Sequence, residues 1–170
     1  MVVKMKLDDK LQLFLTRRSI RSFDNKPIDK GILDQILEAG RWTYSAVNKQ
    51  PWSLYVIQNE ELKKKIVKEC TSGPWASQAP ILIVLVAHTD IQPDWYMVDL
   101  SFMALQLTLA AWNFGVGTCF IGIINRDNVK KLLKLKEKDY VFTVLPVGYP
   151  KSIPKSTPRK SFEDFVKFIN

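Results

Sequence analysis

Cysteine and histidine are nearly missing from this chain, and the shortage removes whole classes of chemistry. The two cysteines, Cys70 and Cys119, stand far apart with no C-x-x-C or histidine-linked spacing. That excludes a zinc-finger type of site and a secreted disulfide scaffold, and it predicts a reducing, cytoplasmic setting. The one histidine, His88, shows no partner in the pattern that would build a catalytic triad or a metal-ligand set. Apolar runs of membrane length are also missing. The most apolar long stretch, Leu100 to Phe114, is interrupted by Gln106, Thr108 and Asn113 and falls short of the roughly 20 residues a span requires. The opening Met-Val-Val-Lys-Met-Lys-Leu-Asp-Asp has no apolar centre of the kind a signal peptide carries, so neither export nor a membrane is expected. Repeats, low-complexity tracts and linkers are lacking as well, which leaves residues 1–170 as a single domain long enough to bury its own core.

Acidic residues are in deficit. There are 17 against 25 lysines and arginines, for a formal charge of +8, and a positive field attracts phosphates of any origin. Much of the excess lies at Lys63 to Lys65 and Lys130 to Lys138, interleaved with Leu62, Ile66, Leu132 and Leu133 at helical spacing. These stretches read as solvated helix faces. No zinc-finger spacing, RNP-like aromatic string or heptad accompanies them, so no nucleic acid is expected as a partner. Salt-dependent binding of DNA or RNA would show otherwise.

What the chain does have is a dense cationic turn. Thr16 to Phe23 reads Thr-Arg-Arg-Ser-Ile-Arg-Ser-Phe. Arginine presents a planar fork of donors that matches phosphate oxygens, and serine hydroxyls complete the shell. With each hydrogen bond to a charged group worth roughly 1.5–3 kcal/mol, Arg17, Arg18, Ser19 and Arg21 together suffice for a monophosphate ester. The same cluster also suits the carboxyl-terminal pole of a helix over Leu7 to Arg17, and the octapeptide alone leaves both readings open.

The remaining elements follow in order. Leu7, Leu11, Phe14 and Leu15 form the stripe of the first helix, with Asp8 and Asp9 at its positive end. Asp29 caps a second helix, Ile28 is placed to staple on Leu33, and Gly40 ends the helix. The stretch Trp42 to Trp52 has no amphipathic period; its tryptophans read as structural, while Asn48 and Gln50 could meet the donor and acceptor edge of a heterocycle. Ser53 to Gln58 alternates as a strand, and Asn59 caps a helix through Cys70. Thr71 to Pro80 is a short connection, and Ile81 to Ala87, apolar at every position, is a central strand buried on both faces. Asp94 to Phe114 is a helix closed by Gly115; it is apolar nearly all round and therefore needs cover from a second copy. A strand and turn from Gly117 to Ile124, a short helix capped by Asn125 and a buried strand from Tyr140 to Tyr149 complete the body. Gly115-Val-Gly117 follows a helix and lacks a third glycine, so it is no dinucleotide fingerprint. Gly122 permits close approach of a flat ligand. The tail, with Phe162, Phe165, Val166 and Phe168 after a cap at Ser161, is too apolar to stand in solvent and is expected to dock. Strands and helices in this mixed order predict an α+β sandwich.

Taken together, Arg17-Arg-Ser-Ile-Arg-Ser-Phe23, Ser45-Ala-Val-Asn-Lys-Gln-Pro-Trp52, Gly115-Val-Gly-Thr-Cys-Phe-Ile-Gly122 and Val147-Gly-Tyr-Pro150 resemble the FMN-dependent nitroreductase family, in order and spacing, from about Leu11 to Phe168. The resemblance implies a central mixed β-sheet flanked by helices, in an intertwined homodimer whose C-terminal tail is exchanged onto the partner. It implies FMN as cofactor, NADH or NADPH as electron donor and a small organic oxidant such as a nitroaromatic or quinone, turned over by a ping-pong mechanism. In that scheme Arg17, Arg18 and Ser19 hold the FMN phosphate and ribityl chain, and Arg21 lies near the pyrimidine edge as electrostatic support. Ser45, Ala46, Asn48 and Gln50 come from the partner subunit. Ile121 and Gly122 supply backbone at the middle of the ring, and Arg159 and Lys160 reach the phosphate. No metal is implied, and no catalytic side chain beyond Arg21, because the cofactor carries the redox chemistry. A flavin oxidoreductase specialised for one metabolite and an FMN carrier or sensor with little turnover are the alternatives.

Overall fold

A strand that is apolar at every position can only sit between two layers, and that requirement organises the molecule. The computed structural model describes residue 8, residues 11–71 and residues 73–169. Its elements are α1 (Gln12–Thr16), α2 (Lys30–Arg41), β1 (Trp52–Ile57), α3 (Glu60–Lys68), β2 (Ile81–His88), α4 (Tyr96–Asn113), β3 (Gly117–Thr118), α5 (Arg126–Leu133), β4 (Asp139–Gly148) and α6 (Phe162–Phe165), with short 3-10 turns at Ala46–Asn48 and Pro74–Gln78. The sheet order is β1-β2-β4-β3. Strand side chains point alternately to opposite faces. Ile81, Ile83, Leu85 and Ala87 therefore enter one core with Leu33 and Ile36 of α2 and Leu100 and Leu107 of α4. Leu82, Val84 and Val86 enter another with Ile66 and Val67 of α3 and Val129 of α5.

The sheet is antiparallel throughout, not mixed. Trp52 pairs with Ala87, Ile81 with Val147 and Gly117 with Gly148. Among the described residues the parallel pairing is confined to one isolated bridge, Ser19 to Thr118, because β3 is two residues long and gives the Ser19 segment nothing further to pair with.

Local chemistry sets the helix ends. Asp29 accepts from the Gly31 and Ile32 amides (2.8 and 3.2 Å), Asn59 from Leu62 (2.9 Å), Asn125 from Asn128 (3.3 Å) and Ser161 from Asp164 (3.1 Å), each satisfying an amide that the helix leaves unpaired. Gly115 follows α4 in the left-handed region, at φ 69°. Gly40 does not end α2, which runs on to Arg41. Its missing side chain instead admits Leu107, whose Cδ2 would lie 2.6 Å from an added Cβ.

Three expectations are corrected by burial. Lys63 is not on a solvated face: it is 3% exposed, and its Nζ donates to the Ala79 and Pro80 carbonyls at 2.8 and 3.1 Å and pairs with Glu60 at 2.8 Å. Trp42 is 72% exposed rather than a core residue, its indole N–H donating to Glu38 at 2.8 Å. Among the described residues the first helix covers Gln12–Thr16, and Leu11, Phe14 and Leu15 are exposed on this chain; Leu7 and Asp9 lie outside the described residues. Met97, Val98 and Leu105 of α4 and Phe162, Phe165, Phe168 and Ile169 of the tail are exposed as well.

Candidate functional site

The arginine turn is held from below. Ile20 is fully buried, and its N–H donates to the Thr118 carbonyl at 2.9 Å, which seats the segment against β3. That approach needs Gly117: an added Cβ would lie 2.4 Å from Ile20 Cγ1. With Ile20 fixed inward, Arg17, Arg18, Ser19 and Arg21 line a cleft of about 520 Å³.

The far wall of the cleft comes from the opposite end of the chain. Pro154, Lys155, Ser156, Thr157 and Arg159 complete the lining, together with Phe14 and Leu15. No acidic residue is among them. Arg159 Nη1 donates to Thr157 Oγ1 at 2.6 Å, which orients the guanidinium. Arg18 Nη1 donates to the Leu15 and Arg17 carbonyls at 2.7 and 3.0 Å, so it closes the carboxyl end of α1 as the helix-end reading anticipated. Its Nε is nevertheless buried without a hydrogen-bond partner, a state that native proteins rarely leave unexplained. The Arg21 guanidinium lies 5.9 Å from the centre of the Trp75 ring, and Trp75 stacks on Phe23.

Arg17 and Ser19 also border a second hollow of about 310 Å³, lined by Ala104, Leu105, Cys119, Phe120 and Phe142 among others. A cationic recess thus continues into an apolar one, the layout suited to a ligand with an anionic end and a flat apolar body. Cys119 is buried there, and burial raises its thiol pKa against the opposing pull of Arg21, Ser19 and Arg17. Cys70, in the other core, is pushed up to about 11 by burial and by Glu69. Neither thiol has the lowered pKa of a nucleophile.

The expected site residues divide into two groups. Arg17, Arg18, Ser19, Arg21 and Arg159 are brought together; Ser45, Ala46, Asn48, Gln50, Ile121, Gly122 and Lys160 line neither hollow of this chain. The Ile121 backbone is committed internally, its N–H to the Val144 carbonyl (3.2 Å) and its carbonyl to Thr143 Oγ1 (2.9 Å). Gly122 is exposed, and a Cβ there would meet nothing within 4 Å. Val47 to Gln50 are exposed too, with Val47, Asn48 and Gln50 at positive φ, while Ser45 and Ala46 are half-buried. Trp75, Lys155 and Thr157 were not anticipated as part of the site. The prolines at 154 and 158, which stiffen the tail around Lys155 and Thr157, are the one sequence signal that bears on them.

His88 does have partners. Its Nδ1 is 2.8 Å from Asp139 Oδ1 and its Nε2 is 2.9 Å from Ser53 Oγ. The three lie on β2, β4 and β1, at the sheet end away from the cationic cleft's lining residues. Pairing across strands far apart in sequence is what hid them.

A sequence model of the Nitroreductase family matches residues 15–80 and 68–149. The chain belongs to that family. Among its relatives, an Archaeoglobus fulgidus protein with the provisional name NADH dehydrogenase/NAD(P)H nitroreductase is 31% identical over 85% of this chain and 87% of its own length. The FMN reductase [NAD(P)H] of Bacillus subtilis is 30% identical over 90% of this chain and 70% of its own. Among solved structures, an FMN-dependent nitroreductase from Clostridium difficile R20291 superposes with a TM-score of 0.85, at 25% identity, covering 93% of this chain and 98% of that one.

Proposed function

We propose that this chain is an FMN-dependent oxidoreductase that takes reducing equivalents from NADH or NADPH and passes them to a small organic oxidant, such as a nitroaromatic or quinone. The observation that carries this reading is the acid-free cleft in which Arg17, Arg18, Ser19, Arg21 and Arg159 converge from the two ends of the sequence. The buried, unpartnered Nε of Arg18 fits a phosphate oxygen, since charge-assisted bonds to guanidinium are the strong ones. Family membership and the FMN and NAD(P)H named for the relatives agree with that fit.

FMN, when bound, supplies the hydride-accepting and hydride-donating centre at its N5. The protein supplies placement and electrostatics. Arg17, Arg18, Ser19, Arg159 and Lys160 anchor the phosphate. Arg21, steadied against Trp75, provides positive charge for the pyrimidine edge, where negative charge develops on reduction. One cleft serves donor and oxidant in turn, which gives ping-pong kinetics.

The working unit is a homodimer. Support comes from the uncovered apolar residues of α1, α4 and the tail, a larger unpartnered set than a soluble monomer usually shows. In it the second copy contributes Ser45, Ala46, Asn48 and Gln50, Ile121 and Gly122 back the ring, and the tail beyond Ser161 lies on the partner.

Anaerobic mixing of the FMN-loaded protein with NADH or NADPH tests the reading: the flavin band should bleach, and recover on addition of a quinone. A band that persists makes the protein a binder rather than an enzyme. In the same experiment Arg21→Ala is expected to slow bleaching by more than it weakens FMN binding, and an unchanged rate removes the electrostatic role.

A further inference from the structure

A carboxylate buried on the apolar helix α4 is out of character with its surroundings. Asp99 is 2% exposed. It lies in the first turn of a helix that has no side-chain cap, where its charge complements the positive pole. Its Oδ1 accepts from the Ala46 N–H at 3.0 Å, and its Oδ2 is buried without a partner, as is Thr43 Oγ1 nearby in sequence to Ala46.

The loop it touches is strained. Val47, Asn48 and Gln50 have φ of 45°, 54° and 48°, a region that non-glycine residues enter rarely and β-branched ones least of all. Such a conformation persists only where its surroundings over-determine it. Inside the loop, Ser45 Oγ accepts from the Gln50 N–H at 2.9 Å, and the Asn48 and Lys49 amides donate to the Ser45 and Ala46 carbonyls at 3.0 and 3.2 Å. Those bonds shape the turn but tie it to nothing else. At its end the loop meets β1 through the Trp52 N–H, which donates to the Gln50 carbonyl at 2.9 Å; its ties across the fold run to α4, Ala46 to Asp99 and the Tyr44 ring against Phe102, centroids 4.7 Å apart. Residues 99 and 102 are three apart and share a helix face.

We propose that Asp99 is the positioning residue for the loop from Ser45 to Gln50, holding it through the Ala46 amide in the conformation that meets the flavin. The flavin half of this rests on the function proposed above. A charged acceptor is the effective choice, because a carboxylate binds an amide about twice as strongly as a neutral oxygen does. Its burial among apolar side chains keeps water from competing for the Ala46 N–H.

Two readouts test the proposal. In flavin-free protein the Lys49–Gln50 bond is open to trypsin, and its cleavage rate, followed by mass spectrometry, reports loop opening. In flavin-loaded protein the FMN dissociation constant reports the site. Losing one charge-assisted bond predicts an increase of at least about tenfold in both for Asp99→Ala. Asp99→Asn keeps Oδ1 as a neutral acceptor and should recover about half of the loss in free energy, leaving roughly a threefold increase. Ala46→Pro removes the N–H while leaving Asp99 in place, follows a residue already extended at φ −139° and ψ 160°, and should match Asp99→Ala in cleavage rate; it also serves if the alanine variant does not fold. Wild-type cleavage rates in Asp99→Ala or Ala46→Pro overturn the positioning role, and so does Asp99→Asn behaving as alanine. Faster cleavage in a protein whose wild type binds no FMN upholds positioning and refutes the proposed function instead. Faster cleavage with unchanged FMN affinity overturns the link from loop to flavin.

Discussion

Replacing Lys63 by methionine removes one ammonium and keeps most of the apolar stem. The Lys63 Nζ makes three contacts of different worth. Its pair with Glu60 contributes little, because that carboxylate is 67% exposed and rehydrates when released; exposed partners of this kind count for about 0–1 kcal/mol. The bonds to the Ala79 and Pro80 carbonyls matter more, since a buried acceptor left unmade costs roughly 1–3 kcal/mol. Relief of the buried charge offsets part of that. The expected net loss is about 2–4 kcal/mol. Urea unfolding at fixed protein concentration should register it as a midpoint lowered by roughly 1–2 M, for a slope near 2 kcal/mol/M. The damage should also reach the site. Ala79 and Pro80 directly follow the Pro74–Gln78 turn, which carries Trp75 beneath Arg21 and whose Gln78 accepts from the Phe23 amide at 3.4 Å. A midpoint within about 0.2 M of wild type, roughly 0.4 kcal/mol at that slope, would refute the reasoning.

Gly117→Ala should force Ile20 away from β3, because the added carbon would lie 2.4 Å from Ile20 Cγ1 and 2.8 Å from its Cβ. Overpacking of this kind costs roughly 1–3 kcal/mol and shifts the arginine turn, so fluorescence titration should show weaker FMN binding together with a lower melting temperature. At the sheet end, burial would raise the Asp139 carboxyl, but the His88 hydrogen bond and the Lys136 amide outweigh it and hold the group below its usual value. A lowered folded pKa gives stability that is present above the unfolded value of about 3.9 and lost as pH falls through the folded one. Urea midpoints between pH 5 and pH 3 should therefore fall more steeply for wild type than for Asp139→Asn, and parallel profiles would contradict this.

Local signals in the sequence carried further than distant ones. The central strand, the caps at Asp29, Asn59, Asn125 and Ser161 and the close of α4 at Gly115 each depend on a few consecutive residues, and all are found. What sequence could not show depends on contacts made in three dimensions. Lys63 looked like one of a row of surface lysines because the carbonyls that capture it arrive from residues 79 and 80. His88 looked solitary because Ser53 and Asp139 reach it only once the sheet has formed. Trp42 looked like core because indole burial is the usual rule, yet it stands on the rim of an apolar groove with Leu13, Leu109 and Phe114. The mixed sheet implied by the resemblance is not what forms: the ladders among the described residues are antiparallel, and strand direction is set by pairings between residues far apart in the chain. In the site, the arginine octapeptide was readable as a phosphate cluster. That Arg18 spends Nη1 on the carbonyls of α1 while Nε remains buried and unpaired emerged only from the fold.

The central claim is that the cationic cleft takes the phosphate of FMN, and parallel titrations of flavin-free protein with FMN and with riboflavin address it most directly. FMN should bind with quenched fluorescence, and riboflavin, which lacks the phosphate, should bind at least a hundredfold more weakly, as expected if two or more charge-assisted bonds are lost. Equal affinity for the two flavins, or no affinity for either, would contradict the account.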